Sequence, residues 1–569
     1  MKHDNNNQSE IVERKYFKND NLKSLDPIIA KILSSRGITN IEQTNYNLSS
    51  LAPISSLENI NSAVNVLIEN MNEQIVIVGD YDVDGATSVS LLMRCLSDFG
   101  FTKIEYIVPN RLRDGYGLTV DVVLDAKNLN PNLLITVDNG ISSIEGVKKA
   151  RELGIDVIIT DHHLPGSIIP NANVIVNPNL ANSKFLSPNL AGVGVAFYVM
   201  AALGKELENQ GNNGASKIVL KYLDLVALGT VADVVKFDFN NRIIVDRGIK
   251  AIRNGKCSSG ILALIKESGK DHKKISSQDL GFSVAPKINS AGRLDDISIG
   301  IECLLTDDPA KGRKLSEILI ATNKERKNIQ TKMQEEANNL VSDITKDDSS
   351  SCICIFHDDW HQGIVGLIAS RLKEKCNRPV IAFASEGNGK IKGSARSIQG
   401  IHIRDILESV ASEKSDLIIK FGGHSMAAGL TIEKHNYEEF KFSVSRIMNK
   451  NYPNFDFTGK IVTDGEIPSN KLNAGFAKQL ESFGPWGTDF EEPKFHGKFL
   501  IHDQRVVGNN HLKMEVQPVN GNQIIDAIAF NHDKFIARDS VGFVYRLCLN
   551  EFRGNTKEQL IVEKIYGEI

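Results

Sequence analysis

The sequence predicts an α/β protein built on a parallel sheet, extended by a second α/β unit and closed by an all-β section. Three observations carry this. Between about residues 60 and 235, short β-branched runs end in acidic or polar residues and lead into helices, the alternation that a parallel sheet with crossover helices requires. The alternation restarts near residue 351 with Ile353-Cys354-Ile355-Phe356. After residue 455 it gives way to alternating runs such as Gly497-Lys498-Phe499-Leu500-Ile501 and His511-Leu512-Lys513-Met514-Glu515-Val516. Turn residues such as Gly508-Asn509-Asn510 and Asn520-Gly521-Asn522 punctuate these runs, which read as strands without helices.

A length of 569 residues implies roughly three or four domains. The hydrophobic share of 41% and charged share of 24% are those of a globular protein, and no apolar run is long enough to span a bilayer. The start, Met1-Lys2-His3-Asp4-Asn5-Asn6-Asn7, lacks the basic-then-apolar pattern of a secretory signal, so a cytoplasmic protein without membrane attachment is expected. The seven cysteines agree, being scattered; the close pair Cys352 and Cys354 lies in an apolar run and reads as core. A net charge of -4 argues against coating nucleic acid by bulk charge, although a local basic groove fits inside a neutral total.

Residues 1–55 are polar, with one amphipathic segment around Pro27-Ile28-Ile29-Ala30-Lys31-Ile32-Leu33, and read as an N-terminal helical extension. In the next unit, 56–240, the run Ile75-Val76-Ile77-Val78 predicts a buried strand, and Gly79-Asp80-Tyr81-Asp82-Val83-Asp84-Gly85 follows at its carboxyl end. Period two points Asp80, Asp82 and Asp84 roughly the same way, at the edge where parallel sheets bind ligands. Three like charges so close raise one another's pKa unless a cation neutralises them, so the triplet makes sense as a metal nest; alone, it could equally be a solvated acidic loop. Leu133-Leu134-Ile135-Thr136-Val137 ends in Asp138-Asn139-Gly140, and Ile155-Asp156-Val157-Ile158-Ile159-Thr160 ends in Asp161-His162-His163. Val226-Ala227-Leu228-Gly229-Thr230-Val231-Ala232 leads into Asp233. Adjacent histidines at a strand end point in different directions, so one can bind metal while its neighbour faces what the metal activates. With Asp82, Asp84, Asp138 and Asp233 the pair supplies oxygen and nitrogen ligands for two divalent cations, a set suited to Mn²⁺ or Mg²⁺.

Residues 241–345 form a helical connector. From Pro309 to Ile344 the apolar residues Leu315, Ile318, Leu319, Ile329 and Met333 recur at helical spacing, which predicts a long bridging helix. The second unit, 346–450, contains Trp360-His361-Gln362-Gly363, Gly393-Ser394-Ala395-Arg396-Ser397 and Gly422-Gly423-His424. Paired glycines let backbone amides approach a phosphate, and Ser394 and Arg396 can donate to its oxygens; tight turns are the plainer alternative. The last section, 455–569, holds 13 Lys plus Arg against 16 Asp plus Glu counted from Asn454. Strand binding there would rest on local patches and aromatic stacking, and a structural role is the alternative.

Taken jointly, Asp80-Tyr81-Asp82-Val83-Asp84-Gly85, Asp138-Asn139-Gly140, Asp161-His162-His163 and Ala232-Asp233 resemble the four motifs of the DHH phosphoesterases. Three further runs narrow the resemblance to the RecJ branch, the single-strand-specific 5′ to 3′ exonucleases. They are Asn110-Arg111-Leu112-Arg113-Asp114-Gly115-Tyr116-Gly117-Leu118, Ala285-Pro286-Lys287-Ile288-Asn289-Ser290-Ala291-Gly292-Arg293-Leu294 and Gly422-Gly423-His424-Ser425-Met426-Ala427-Ala428-Gly429. The resemblance implies a DHH catalytic domain over 56–240, a DHHA1 substrate-binding domain over 346–450, a helix joining the lobes that flank a cleft, and an OB-like barrel over 455–569. It implies two-metal release of 5′-mononucleotides from single-stranded DNA, in repair and recombination.

By resemblance, Asp138 bridges two cations; Asp84, His162 and Asp233 complete one site, and Asp82 with Asp138 forms the other. Many relatives carry a histidine four residues before the first paired Asp, where this chain has Val78, so the second cation either leans on Asp80 or is held more weakly. His163 is implied to face the scissile phosphate. Arg111, with Arg113 as a rival, is implied to grip the strand together with Asn289, Arg293, Ser394, Arg396, Gly422, Gly423 and His424. A cleft too narrow for a duplex would account for strand selectivity. A monomer is expected, and the resemblance implies that a single-strand-binding protein docks on it. Two alternatives stand beside this: a superfamily phosphodiesterase acting on oligoribonucleotides or cyclic dinucleotides, disfavoured by the chain's length, and a non-catalytic single-strand-binding scaffold, disfavoured by the full set of acids.

Overall fold

The computed structural model describes residues 10–110, 115–344, 351–508, 510–552 and 555–568. Strand β1 (Glu10–Glu13) pairs in parallel with Lys460–Thr463, so the first and last sections of the chain meet. The amphipathic segment forms the helix Pro27–Ser34, capped by the Asp26 carboxylate, which accepts from the Ile28 N–H at 2.9 Å.

Five parallel strands form the first sheet: β2 (Ile75–Val78), β3 (Ile104–Ile107), β4 (Leu133–Val137), β5 (Asp156–Thr160) and β6 (Val174–Val176), in the order β3-β2-β4-β5-β6. Strands β2 and β4 are buried along their whole length because both faces are covered. Ile75, Ile77, Leu133, Ile135 and Val137 belong to the core shared with helices Val83–Asp98, Gly192–Asn209 and Leu223–Ala232. The alternate residues Val76, Val78 and Leu134 pack with helices Val120–Lys127 and Ile144–Glu152. Strand order reverses between β2 and β4, and at such a switch point the strand ends leave a crevice. Both acidic runs, after β2 and after β4, open there.

Helices Phe239–Arg253, Ser259–Glu267, Ala285–Leu294 and Ser298–Leu305 form the connector, followed by the bridging helix Pro309–Ile344. Its 36 residues extend about 54 Å at 1.5 Å per residue. Leu319 lies in the core of the first lobe, whereas Met333, Ala337 and Val341 lie in that of the second, so one rigid rod is rooted in both. The second lobe is a mixed sheet of β7 (Ile353–His357), β8 (Val380–Gly387), β9 (Lys390–Arg396), β10 (Lys420–Gly423) and β11 (Ala427–Glu433), ordered β10-β11-β9-β8-β7. Only β7 and β8 pair in parallel.

The C-terminal section departs from the all-β expectation at its start. After β12 (Lys460–Thr463) comes the helix Ala474–Ser482, and the barrel begins only at Phe495. Strands β13 (Phe495–Val507), β14 (His511–Pro518), β15 (Ile525–Ala529), β16 (Ser540–Phe552) and β17 (Asn555–Glu568) close in the order β13-β14-β15-β17-β16. A three-strand meander with a parallel β15–β17 pair is the OB arrangement.

The N-terminal residues act as a clamp rather than a free arm. Arg36 and Asp464 form a bidentate pair, Nη1 to Oδ1 at 2.7 Å and Nη2 to Oδ2 at 2.9 Å, with both side chains buried. The Arg242 guanidinium lies 4.2 Å from the Phe490 ring, and the Phe237 N–H donates to the Thr488 carbonyl at 2.8 Å. These contacts fasten the barrel unit to the first lobe. Among the described residues, no helix is long and apolar enough to cross a membrane. Arg36→Ala is expected to cost about 3–5 kcal/mol, because it strands the Asp464 carboxylate without its partner. Urea unfolding followed by Trp486 fluorescence, a ring 5.6 Å from the Arg36 guanidinium, would read it; an unchanged midpoint would refute the clamp.

Candidate metal centre and cleft

Each acid of the crevice is placed by backbone geometry. Asp82 is the N-cap of helix Val83–Asp98: its Oδ1 accepts from the N–H groups of Asp84 at 2.9 Å and Gly85 at 3.1 Å. Asp84 is the second residue of that helix and meets the start of another, accepting from the Gly192 N–H at 2.6 Å and the Val193 N–H at 2.9 Å. Asp138 stands just past β4 at φ +61°, a left-handed conformation costing about 1–2 kcal/mol for a residue with a Cβ. Asp233 follows helix Leu223–Ala232. Asp80 holds the Tyr81 N–H through Oδ1 at 2.7 Å.

Side-chain ligand atoms then gather in overlapping groups. Asp84, His162 and Asp233 bring oxygen and nitrogen within 4.8 Å of one another, as do Asp80, Asp82 and Asp138, and as do Asp138, His162 and His163. His162 Nε2 lies 3.2 Å from Asp138 Oδ1, 3.5 Å from Asp233 Oδ2 and 4.0 Å from Asp84 Oδ2. Buried Asp138 Oδ1 and His162 Nε2 face each other without a hydrogen-bond partner. An acceptor pair left unpaired in a dry crevice fits a cation with oxygen and nitrogen ligands. The electrostatics agree. Burial, and then the charges of neighbouring carboxylates, push the pKa values of Asp84, Asp138 and Asp233 up. Burial, and then the His163 charge, push that of His162 down, so it stays the neutral imidazole a metal needs.

The two histidines part company as their adjacency predicts. The His163 Nδ1–H donates to Asp161 Oδ1 at 2.7 Å. Burial opposes charge on this ring, but that bond and the charges of Asp161, Asp233 and Asp80 outweigh it and hold the pKa at about 9. Asp161 is wholly occupied: its Oδ2 accepts from the Ile141 N–H at 2.9 Å, and its Oδ1 accepts from the N–H groups of His162 at 2.7 Å and His163 at 3.1 Å. It orients the pair rather than joining the ligand set.

The second lobe closes over this centre. The His424 ring stacks on His163 at a centroid distance of 6.3 Å and 14° between planes. Ser394 and Arg396 project from the same face of β9, and Arg396 Nη1 donates to Ser394 Oγ at 2.9 Å. Both sit at the amino end of helix Val365–Cys376, where a Cβ on Gly366 would fall 2.9 Å from Arg396 Nη2 and 3.0 Å from Ser394 Oγ. Arg293 reaches across from the connector, its Nη1 donating to the Gly363 carbonyl at 3.0 Å. Two arginines, a hydroxyl and a helix amino end are suited to an anion.

Other expected residues are placed differently. Arg111 and its rival Arg113 lie outside the described residues. The Asn289 side-chain oxygen accepts from the Val83 N–H at 3.1 Å, so this residue braces the acidic loop. Gly423, at φ +138°, leaves no room for a Cβ, which would meet the Ala427 carbonyl at 2.4 Å, whereas Gly422 opens onto free space. Val78 has its side chain in the core on the far side of the sheet, and its carbonyl accepts from Asn139 Nδ2 at 3.0 Å.

Sequence reasoning missed the residues that support the ligands. Asn139 also donates to the Val137 carbonyl at 2.9 Å, tying β2 to β4 across the crevice. Asn177 and Asn179 donate to the carbonyls of His163 and His162 at 2.9 and 2.6 Å. The Tyr116 hydroxyl donates to the Asp138 carbonyl at 3.3 Å. A Cβ on Gly192 would lie 2.5 Å from Asp138 Cβ. The Asn and Gly beside the DHH motifs were the available signal for some of these; Gly192 had none.

Comparison with known proteins gives a coherent picture. The profile described as DHH family, N-terminal domain, matches residues 74–230, that described as DHHA1 domain matches 348–450, and that described as RecJ OB domain matches 463–564. A protein of Escherichia coli (strain K12) named single-stranded-DNA-specific exonuclease RecJ is 44% identical over 554 residues, 95% of this chain and 96% of that one. Its namesake in Haemophilus influenzae is 42% identical over 567 residues, 98% of this chain and 99% of that one. The crystal structure of RecJ in complex with Mn²⁺ from Thermus thermophilus superposes with a TM-score of 0.82 at 25% identity, covering 98% of this chain and 79% of that one.

Gly192→Ala is expected to weaken Mn²⁺ binding by about tenfold or more while the fold is retained, since the added methyl displaces Asp138 from the ligand group. Calorimetric titration with Mn²⁺ alongside circular dichroism checks this, and unchanged affinity would disprove it.

Proposed function

The chain belongs to the RecJ family of single-stranded-DNA-specific exonucleases, and from that premise we propose how its cleft hydrolyses the phosphodiester bond at the 5′ end of a single strand. The observation that carries the reading is the unpaired Asp138 Oδ1 and His162 Nε2 pair at the meeting point of the acid groups. Asp84, His162 and Asp233 would hold one divalent cation, Mn²⁺ or Mg²⁺, and Asp80 with Asp82 the other, Asp138 being shared. Two such cations supply an activated water and neutralise charge gathering on the phosphoryl oxygens.

The remaining steps belong to the chain's own side chains. Asp161 fixes His163 as a donor aimed at the scissile phosphate, and His424 stacks behind it. Ser394, Arg396 and Arg293 receive the terminal 5′-phosphate at the amino end of helix Val365–Cys376, and that grip sets the polarity: the bond presented to the acids is the first one from the 5′ end. Release of a 5′-mononucleotide and 5′ to 3′ progress follow, in keeping with a role in DNA repair and recombination. Asn289 works through Val83 as a positioning residue. The chain is proposed to act as a monomer, since every ligand comes from one polypeptide.

Asp84→Ala should lower the rate of nucleotide release from 5′-phosphorylated single-stranded DNA by at least about a hundredfold while strand binding persists. Gel-based digestion with Mn²⁺ and a parallel binding assay test it, and an active variant would remove the metal assignment. Arg396→Ala should raise KM for 5′-phosphorylated strands by about tenfold or more and leave 5′-hydroxyl strands unaffected; equal effects on both would dismiss the 5′-phosphate cradle.

A further inference from the structure

Two segments run from the metal centre to the barrel, and each exposes an apolar side chain on the way. Just after Asp233, Val234 adopts φ +63°, which a β-branched residue rarely takes, and is 64% exposed. The chain then reaches the barrel unit, where Lys236 pairs with Thr488 and its Nζ lies 2.9 Å from Asp489 Oδ2. The other segment starts at the barrel: Ser277 Oγ donates to the Trp486 carbonyl at 2.7 Å, and Arg546 Nη1 donates to Gln278 Oε1 at 2.9 Å. It continues as the π-helical turn Leu280–Val284 into helix Ala285–Leu294, which carries Asn289 and Arg293. Leu280 and Val284 are buried, while Phe282 between them is 83% exposed. Gly281 lies against the end of the helix that leads into Asp233, for a Cβ on it would lie 3.2 Å from Val231 Cγ1.

A π turn held at both ends keeps Phe282 exposed, and such turns recur at functional positions. A single exposed phenylalanine means little. Here it lies on one of the two chain segments that join the acid centre to the barrel, and an exposed valine in a left-handed conformation lies on the other. An uncharged face is wrong for phosphate and right for the flat side of a nucleobase. In a duplex those faces are already stacked; in a single strand they are free.

We infer that Phe282, with Val234 on the companion segment, is a stacking platform for bases trailing the scissile phosphate, and so contributes to single-strand selectivity independently of cleft width. The inference rests on the exonuclease reading above. The test compares Phe282→Ala, Phe282→Trp and the unaltered enzyme on a 5′-phosphorylated strand of about 20 nucleotides, the same strand with abasic sites beyond its first two nucleotides, and a 5′-phosphorylated dinucleotide. Expected for Phe282→Ala is a rise in KM of about tenfold on the normal strand at unchanged kcat, no change on the dinucleotide or the abasic strand, and recovery with Phe282→Trp. An unchanged KM on the normal strand, or the same rise on the dinucleotide or abasic strand, would overturn it. If the unaltered enzyme leaves single strands intact, the exonuclease reading fails and this inference goes with it; if it digests them and the alanine variant matches it, only the platform is lost.

Discussion

Buried carboxylates repel one another, and the architecture around the crevice is organised to bear that repulsion. Asp80, Asp82, Asp84, Asp138 and Asp233 converge at one sheet edge; Asp80, Asp84 and Asp138 are buried and the other two half-buried, which limits the water that would screen them. At such separations each unscreened pair costs on the order of a few kcal/mol, which exceeds what a loop can hold by itself. The chain meets this cost with backbone. Helix amino ends face Asp82 and Asp84, Asn139 sews the two central strands together, and Asp138 is kept in a left-handed conformation between them. A cation completes the balance that the protein starts.

The same constraint sets the division of labour between the histidines. His162 is half-buried and turned toward the acids, while His163 leans on Asp161, which holds its charge. One position separates a ring turned toward the acids from a ring held by Asp161, because successive side chains leave the backbone in different directions.

Cleft geometry depends on long-range fastening. A bridging helix rooted in two cores sets the separation of the lobes, and the Arg36–Asp464 pair with the Arg242–Phe490 contact sets the barrel against the first lobe. Strand path and metal centre are therefore one construction, although their residues lie hundreds of positions apart in the chain.

Much of this was legible in the sequence. The β-branched runs, the acids at their ends and the helical spacing of Leu315 to Met333 are local patterns, and local patterns report burial and direction directly. Less legible was whatever depended on contact at a distance. That Asn289 braces Val83, that Gly192 makes room for Asp138, that residues 10–36 fasten the barrel unit, and that residues 455–494 include a helix all follow from neighbours distant in sequence. By itself the sequence determined the ligand types and the strand edge on which they stand, since residue chemistry and period two are written in the order of amino acids. Only the tertiary structure decided that Asp80 falls within the second group and Asp161 outside the first, because that depends on which side-chain atoms the folded strand ends bring within reach of one another.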